Sequence, residues 1–434
     1  MRILHLINRY WPAQSGSEIH FGELSARLAD DGHSVRVATT TALDYEALSD
    51  PHGRQLSLRK EAHRKVEIWR FPVRHLPGAP KSHAALQRLL MLLSRHTPIS
   101  ADTLSRLSHS GLRIPDFYRW LRRTEEPFDL IAGMNLLFHP ILEAGSAMAM
   151  RLKIPFVAYP ILHLGAGEKP GEGFPGPFYS GRHQLALLAR CAAVVAQTET
   201  EKRFLEEHGV ASNRIRVVGP GINPAEVTGG DGKRFRCKYG LQGPVVSFLS
   251  SMVFDKGVMH LIEAVRRLWE EGSPVELVLA GTMFDSFRTW WSRIPPETCR
   301  RIRLLGSIRE EEKRDLLAAS EIVAIPSRTD SFGLVYLEAW LYRKPVIGAR
   351  AWGIDDVITD GRDGLLVEFG NEKSLSEAIA TLAQNPSLRE SMGFAGYRKV
   401  LEHHTWDRKY AMIRDLYHGL TDPDRQTPSR AISR

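Results

Sequence analysis

Residues 327–338 read Ser-Arg-Thr-Asp-Ser-Phe-Gly-Leu-Val-Tyr-Leu-Glu. The apolar run Ile322–Ile325 leads into them with the length and composition of a buried strand, closed by Pro326. Beyond the loop, Leu334, Leu337 and Leu341 recur at helical spacing until Lys344-Pro345 stops the helix. The segment is therefore strand, polar loop, helix. Phe332 and Gly333 stand near the helix start, where unpaired backbone N–H groups and the positive dipole end attract an anion. Gly333 permits close approach, Asp330 lies just before the start, and Glu338 lies inside the helix. Two carboxylates thus flank a phosphate-sized anion site. Such a site suits a ligand that is anionic at one end and rich in hydroxyls at the other.

Working outward, 434 residues suggest two to three domains. An apolar content of 43% is ordinary for a soluble globular chain. No stretch approaches the ~20 apolar residues of a membrane span; Leu185–Ala196 comes nearest and is interrupted by Arg190. Met1–Leu6 is broken too soon by Asn8-Arg9 for a signal peptide and reads as the first strand. Cys191, Cys237 and Cys299 lie far apart, with neither metal spacing nor a disulfide framework, which favours a reducing cytoplasm. The net charge of +8 suits anionic partners such as nucleotide diphosphates or anionic lipid. No nucleic-acid motif is visible, so that partner is not expected.

The first half opens as βαβ: a strand at Ile3–Ile7, a helix from about Ser17 (a plausible N-cap) to Asp31, and a strand at Ser34–Thr39. The first turn, Ser15-Gly16-Ser17, is not the dinucleotide fingerprint, but Gly16 lets a phosphate approach the helix start. Further strands are expected at Val66–Phe71, Phe128–Ile131, Pro155–Tyr159 and Ala193–Ala196. Lys81–Arg123 carries eight Lys/Arg against two Asp/Glu and the apolar cluster Leu89–Leu93. It reads as helical, basic and amphipathic, either lying on an anionic membrane surface or covering its own core. His163 falls in the loop after a strand, where ligands of open α/β sheets collect. The Gly/Pro-bearing turn Gly219–Asn223 is a domain boundary. A second βα series starts with a strand at Val245–Leu249, a loop ending Lys256-Gly257, and a helix Val258–Glu270. There a cation and helix-start N–H groups converge, as a diphosphate requires. The aromatic stretch Phe284–Trp291 reads as packing, and the polar tail from Thr421 as disordered. Asp422-Pro423-Asp424 has metal-ligand spacing but lies in that tail and is discounted.

Pro326-Ser-x-x-Asp330-Ser-Phe-Gly-Leu-Val-Tyr-Leu-Glu338-Ala resembles the acid-x7-Glu signature of retaining, nucleotide-sugar-dependent glycosyltransferases of family 4 (the "glycosyl transferases group 1"). Gly16-Ser17-Glu18 and Gly32-His33-Ser34-Val35 are similar to the family's opening motifs, and Gly353–Val367 to its later ones. Two departures stand out. Asp330 replaces the usual Glu, and Ser250-Ser251 replaces the Gly-Arg of Gly-Arg-x4-Lys-Gly, although Lys256-Gly257 is kept. The resemblance implies an α/β chain of GT-B fold, with two Rossmann-like domains facing each other across a cleft. These would be 1–221 for the acceptor and 222–405 for the nucleotide sugar, with a final helix at about 406–420 crossing back to the first and a tail at 421–434. It implies transfer of a hexosyl group from a UDP or GDP sugar to a sugar, glycan or lipid-linked acceptor in the cytoplasm, with residues 81–123 as the region open to peripheral contact with the inner membrane face. Lys256, Asp330 and His163 would be catalytic. Glu338 would bind ribose, and Gly333, Leu334, Val335, Phe332, Ser251 and Gly16 would lie about the donor. No metal or other cofactor is expected. The missing arginine at Ser251, for which Arg328 is a candidate substitute, motivates a rival: a nucleotide-binding or regulatory protein with little turnover.

Overall fold

The computed structural model describes residues 1–13 and 15–422, which form two compact units. The tail expected from Thr421, with Asp422-Pro423-Asp424, lies outside the described residues from position 423 onward.

The first unit comprises Met1–Leu162, Gly176–Gly219 and the chain from Tyr410. Its strands are β1 (Arg2–Leu6), β2 (Ser34–Thr40), β3 (Lys60–His63), β4 (Val66–Phe71), β5 (Leu130–Met134), β6 (Phe156–Tyr159), β7 (Ala193–Ala196) and β8 (Ile215–Val217). They form one sheet in the order β3-β4-β2-β1-β5-β6-β7-β8. All neighbours are parallel except β3 with β4. Every residue of β5, β6 and β7 is buried, as expected where helices cover both faces of a parallel sheet. The helix Gly16–Asp30 buries Phe21, Leu24 and Leu28, and Ser15 rather than Ser17 occupies its N-cap. β3 has no counterpart in the sequence reading. Its hairpin turns through Arg64 and Lys65, both at positive φ, where Asn-Gly is the usual signal. The basic stretch divides into three helices, Lys81–His96, Ala101–Ser108 and Pro115–Arg123. Leu90, Leu104, Phe117 and Leu121 enter the core, whereas Leu89 and Leu92 are each 49% exposed. From the last helix, Trp406–Thr421, Tyr417 joins the first unit's core, its hydroxyl 3.0 Å from that of Tyr159.

The second unit comprises His163–Pro175 and Pro220–Lys409, so the loop bearing His163 clusters with it although it lies within the first half of the sequence. Its strands are β9 (Val245–Leu249), β10 (Glu276–Ala280), β11 (Ile302–Gly306), β12 (Ile322–Ile325), β13 (Val346–Ala349) and β14 (Gly364–Val367). They are parallel in the order β11-β10-β9-β12-β13-β14, a doubly wound sheet whose direction of winding reverses between β9 and β12. Ligands of such sheets bind beyond the carboxyl ends of the two strands at the reversal. Phe287 is fully buried, and Trp290 and Trp291 pack on the same core. Among the described residues no helix is long and apolar enough to cross a membrane.

The helix Leu334–Leu341 is anchored by Trp340, fully buried, whose Nε1 donates to the Asp363 carbonyl at 2.8 Å. The helix Pro386–Lys399 lays Gly396 flat on that indole, where a Cβ would overlap the ring. Gly396→Val should therefore lower stability by about 2–3 kcal/mol through overpacking. Urea unfolding followed by tryptophan fluorescence measures it, and an unchanged midpoint would contradict the packing.

Candidate functional site

The loops after β9 and β12 meet at the reversal point. Gly257 sits at φ 76°, and a Cβ there would strike the Pro326 carbonyl, so only glycine lets the β9 loop lie against the end of β12. Two ion pairs then join the loops. Arg328 donates through Nε and Nη2 to Asp255 Oδ1 at 2.9 and 2.7 Å, and Lys256 Nζ donates to Asp330 Oδ1 at 2.5 Å. The helix Val258–Glu270 starts directly behind Lys256, and the helix Leu334–Leu341 directly behind Gly333. Gly333 has φ 85°, with the Tyr336 ring where a side chain would go. The first turn of this second helix leaves the N–H groups of Leu334 and Val335 without intrahelical acceptors.

His163 lies within the same unit. Its Nδ1 bonds to the Thr329 carbonyl, which can only accept, so Nδ1 carries the proton. Burial, then the charge of Lys256, lowers the imidazole to about 4. Burial alone would raise the Asp330 carboxyl, but the charge and hydrogen bond of Lys256 outweigh it and hold Asp330 below its ordinary value. Glu338 behaves oppositely, because burial raises it despite Lys313. Lys313 Nζ lies 3.0 Å from Glu338 Oε1, while Oε2 is buried without a hydrogen-bond partner. A buried, half-satisfied carboxylate beside an anion-binding helix start is a prepared acceptor for ligand hydroxyls.

The structure thus brings together Lys256, Asp330 and His163, with Gly333, Leu334, Val335 and Glu338 on the adjoining loop and helix. Ser251 stands in the β9 loop, its carbonyl accepting from Val253 N at 3.0 Å. Phe332, at the helix start, is 4% exposed and packs its ring edge-on against His404, so that its backbone is the part near the anion site. Gly16 belongs to the first unit, heading a helix beside the buried Arg9–Glu18 pair. Arg328 is committed to Asp255 and lies over the rings of Phe174, Phe254 and Phe369. Two contributors have no sequence signal. Lys313 is one charge in the Glu-rich helix Glu310–Ala319. Trp352 holds the His163 loop by donating from its backbone N to the Gly165 carbonyl at 2.9 Å and from Nε1 to the Gly167 carbonyl at 2.8 Å.

The family described as "Glycosyl transferases group 1" matches residues 233–399, and that described as "Glycosyl transferase 4-like domain" matches residues 15–221. The chain is similar to an uncharacterized glycosyltransferase of Methanocaldococcus jannaschii, 27% identical over 229 residues, which are 53% of this chain and 60% of that protein. It is also similar to the D-inositol 3-phosphate glycosyltransferase of Xylanimonas cellulosilytica, 28% identical over 294 residues, 64% of this chain and 70% of that one. Among solved structures, Anabaena HepE in complex with UDP and glucose shares the fold with a TM-score of 0.68 at 18% identity, over 97% of this chain and all of that one.

The depressed imidazole of His163 has a consequence for pH. The unfolded chain protonates this group near its ordinary value of 6.5, whereas the folded chain resists until about 4. The stability it contributes is fully present above 6.5 and is lost as pH falls through the folded value. Denaturant unfolding at intervals from pH 8 to 4 should therefore show the parent losing more stability on acidification than His163→Asn. Parallel curves for the two proteins would contradict the burial of this ring.

Proposed function

Because the chain belongs to the group 1 glycosyltransferases of family 4 and has their GT-B fold, we propose that it moves a sugar from a nucleotide-diphosphate donor to a hydroxyl of a sugar, glycan or lipid-linked acceptor, with retention at the anomeric carbon. The observation that carries this is the meeting, beyond β9 and β12, of one cation, one open helix start, an ionised carboxylate and a buried half-paired one. The UDP and glucose held by the Anabaena relative support a nucleotide sugar as the donor class.

The donor diphosphate lies at the start of the helix Leu334–Leu341, taking the N–H groups of Leu334 and Val335 and the ammonium of Lys256. Lys256 and Asp330 are paired with each other, so donor binding divides the pair: the cation turns to phosphate and Asp330 accepts from sugar hydroxyls. Glu338 Oε2 accepts from the ribose, with Oε1 held by Lys313. As the bond from the anomeric carbon to the phosphate oxygen breaks, charge grows on the diphosphate and is met by donors already in place. The acceptor oxygen bonds to the same face of the anomeric carbon, and its proton passes to the departing phosphate oxygen. Retention then needs neither a protein nucleophile nor a metal. His163, neutral and fixed by Thr329, orients sugar and acceptor. Ser251 supplies no cation and Arg328 is spent on Asp255, so Lys256 carries this role alone; one charge-assisted hydrogen bond, about 1.5–3 kcal/mol, is forgone. Exposed Leu89 and Leu92, among Lys81, Arg88 and Arg95, support peripheral contact with an anionic membrane on the cytoplasmic side.

Steady-state assays against a panel of UDP and GDP sugars test the roles. Lys256→Ala should lower kcat by roughly 10²–10³-fold, because its interaction strengthens as the leaving charge develops. Glu338→Ala should chiefly raise KM, because ribose contacts are alike in ground and transition states. Lys313→Met should shift KM in the same direction. Unchanged transfer by both Lys256→Ala and Glu338→Ala would sink the reading.

A further inference from the structure

Beyond the carboxyl end of β5, the first unit contains a cavity of about 70 Å³. Its walls come from the helices Lys81–His96 and Ala101–Ser108, the turn Leu136–Phe138 with His139 behind it, and residues 177–184. β5 adjoins β1, and the winding of this sheet reverses between the two, so the position is one where doubly wound sheets place ligands. Roughly 10–15 Å³ suffices for one water by this measure. The cavity is therefore large enough for a ring or a short branched chain.

The walls are mostly apolar, with Leu90, Met91, Leu137, Phe138 and Phe178 among them. Two imidazoles supply the polar atoms that have no partner. His139 Nδ1 lies 3.2 Å from Ser108 Oγ, but its Nε2 is buried without a hydrogen-bond partner, the Glu143 carboxylate being 3.7 Å away, and His183 Nδ1 is likewise without one. The residues are 1% and 8% exposed, and their rings meet edge to face at 4.7 Å. A buried polar atom left unsatisfied is costly, and a ligand hydroxyl would satisfy either one.

The charge pattern narrows the ligand. Residues 81–123 carry eight Lys/Arg, yet no Lys, Arg, Asp or Glu is among the residues lining this cavity. Arg182, adjacent to His183, spends its guanidinium on the carbonyls of Leu93, Ser94 and Thr97. Burial lowers His183 to about 4 and His139 well below its ordinary value, so both rings are neutral at pH 7. The Glu143 carboxylate, 3.7 Å from His139 Nε2 behind the wall, is already paired with Arg190, so neither a phosphate nor an ammonium would find a free counter-charge here, whereas an alcohol finds two neutral hydrogen-bonding nitrogens in an apolar wall.

We propose that this cavity is a subsite for an uncharged, largely apolar alcohol, with His139 Nε2 and His183 Nδ1 meeting its hydroxyls and the walls covering its hydrocarbon part. The proposal rests on the glycosyltransferase reading only in taking that alcohol to be part of the acceptor; binding itself needs no donor. Among acceptor classes it selects a lipid alcohol over a phosphorylated sugar.

Imidazole ¹⁵N resonances of the full chain, titrated with trans-1,2-cyclohexanediol and separately with cyclohexanecarboxylate, test it. The diol should shift His139 and His183 saturably, while the carboxylate should not. His183→Phe should weaken the diol at least tenfold. Met91→Trp, which fills the cavity and leaves both histidines in place, should abolish the shifts while the melting temperature stays within a few degrees. No saturation by the diol, equal binding of the carboxylate, or unchanged binding in Met91→Trp would each overturn the proposal. Thermal shift with UDP-glucose and GDP-mannose in the same samples keeps the two readings apart: a nucleotide response without diol binding defeats the subsite alone.

Discussion

The pair Lys256–Asp330, with Asp255–Arg328 beside it, is the contact on which the second unit's site depends. Strands β9 and β12 are neighbours in the sheet but 72 residues apart at the loops they feed. Sheet hydrogen bonding places the strand ends side by side and says nothing about where the following loops go. The ion pairs decide that, and Gly257 permits it by letting one loop touch the backbone of the other. The same pairing keeps the buried Asp330 ionised, because the charge and hydrogen bond of Lys256 hold its carboxyl below the ordinary value against burial.

Glu338 shows the complementary device. Its carboxyl is buried on the helix that also presents the anion site, and one lysine occupies one oxygen only. A second cation would satisfy the carboxylate completely and leave it nothing to accept. With none, burial would neutralise it altogether. One partner keeps it an acceptor with capacity to spare. The cost is a destabilised native state, which a ligand's hydroxyls would offset. Stability and binding are coupled at this residue through a single unpaired oxygen.

Much of this was legible in the residues. The strand–loop–helix at 322–341, the position of Lys256-Gly257 at a helix start, and most strand positions follow from apolar runs, glycine and proline punctuation and helical spacing. What escaped has physical reasons. The hairpin β3–β4 turns through Arg64-Lys65, whose side chains give no hint of a left-handed turn. Lys313 looks like any surface charge on a Glu-rich helix, and only the fold brings it to Glu338, 25 residues on. The place of Phe332 in a motif specifies its sequence position and not where its ring goes, and here the ring fills the core. Arg328 was available by type and neighbourhood to replace the absent arginine; its commitment to Asp255 depends on a residue from another loop.

Each unit solves the problem of a polar site inside a parallel sheet differently, although each places it beyond the carboxyl end of a strand at the winding reversal. The second unit keeps charges and pairs them, and this is chemistry for a diphosphate, whose binding exchanges one counter-charge for another. The first unit, beyond β5, removes charge from the cavity wall and leaves imidazoles that burial keeps neutral. Neutral nitrogens carry a smaller desolvation cost than ions, so they can be buried unpaired where a lysine could not. The residue types at each reversal point therefore carry information that the shared topology does not. A sheet of this order offers a place for a ligand, and the balance of paired charge against neutral nitrogen decides whether that ligand is an anion or an alcohol.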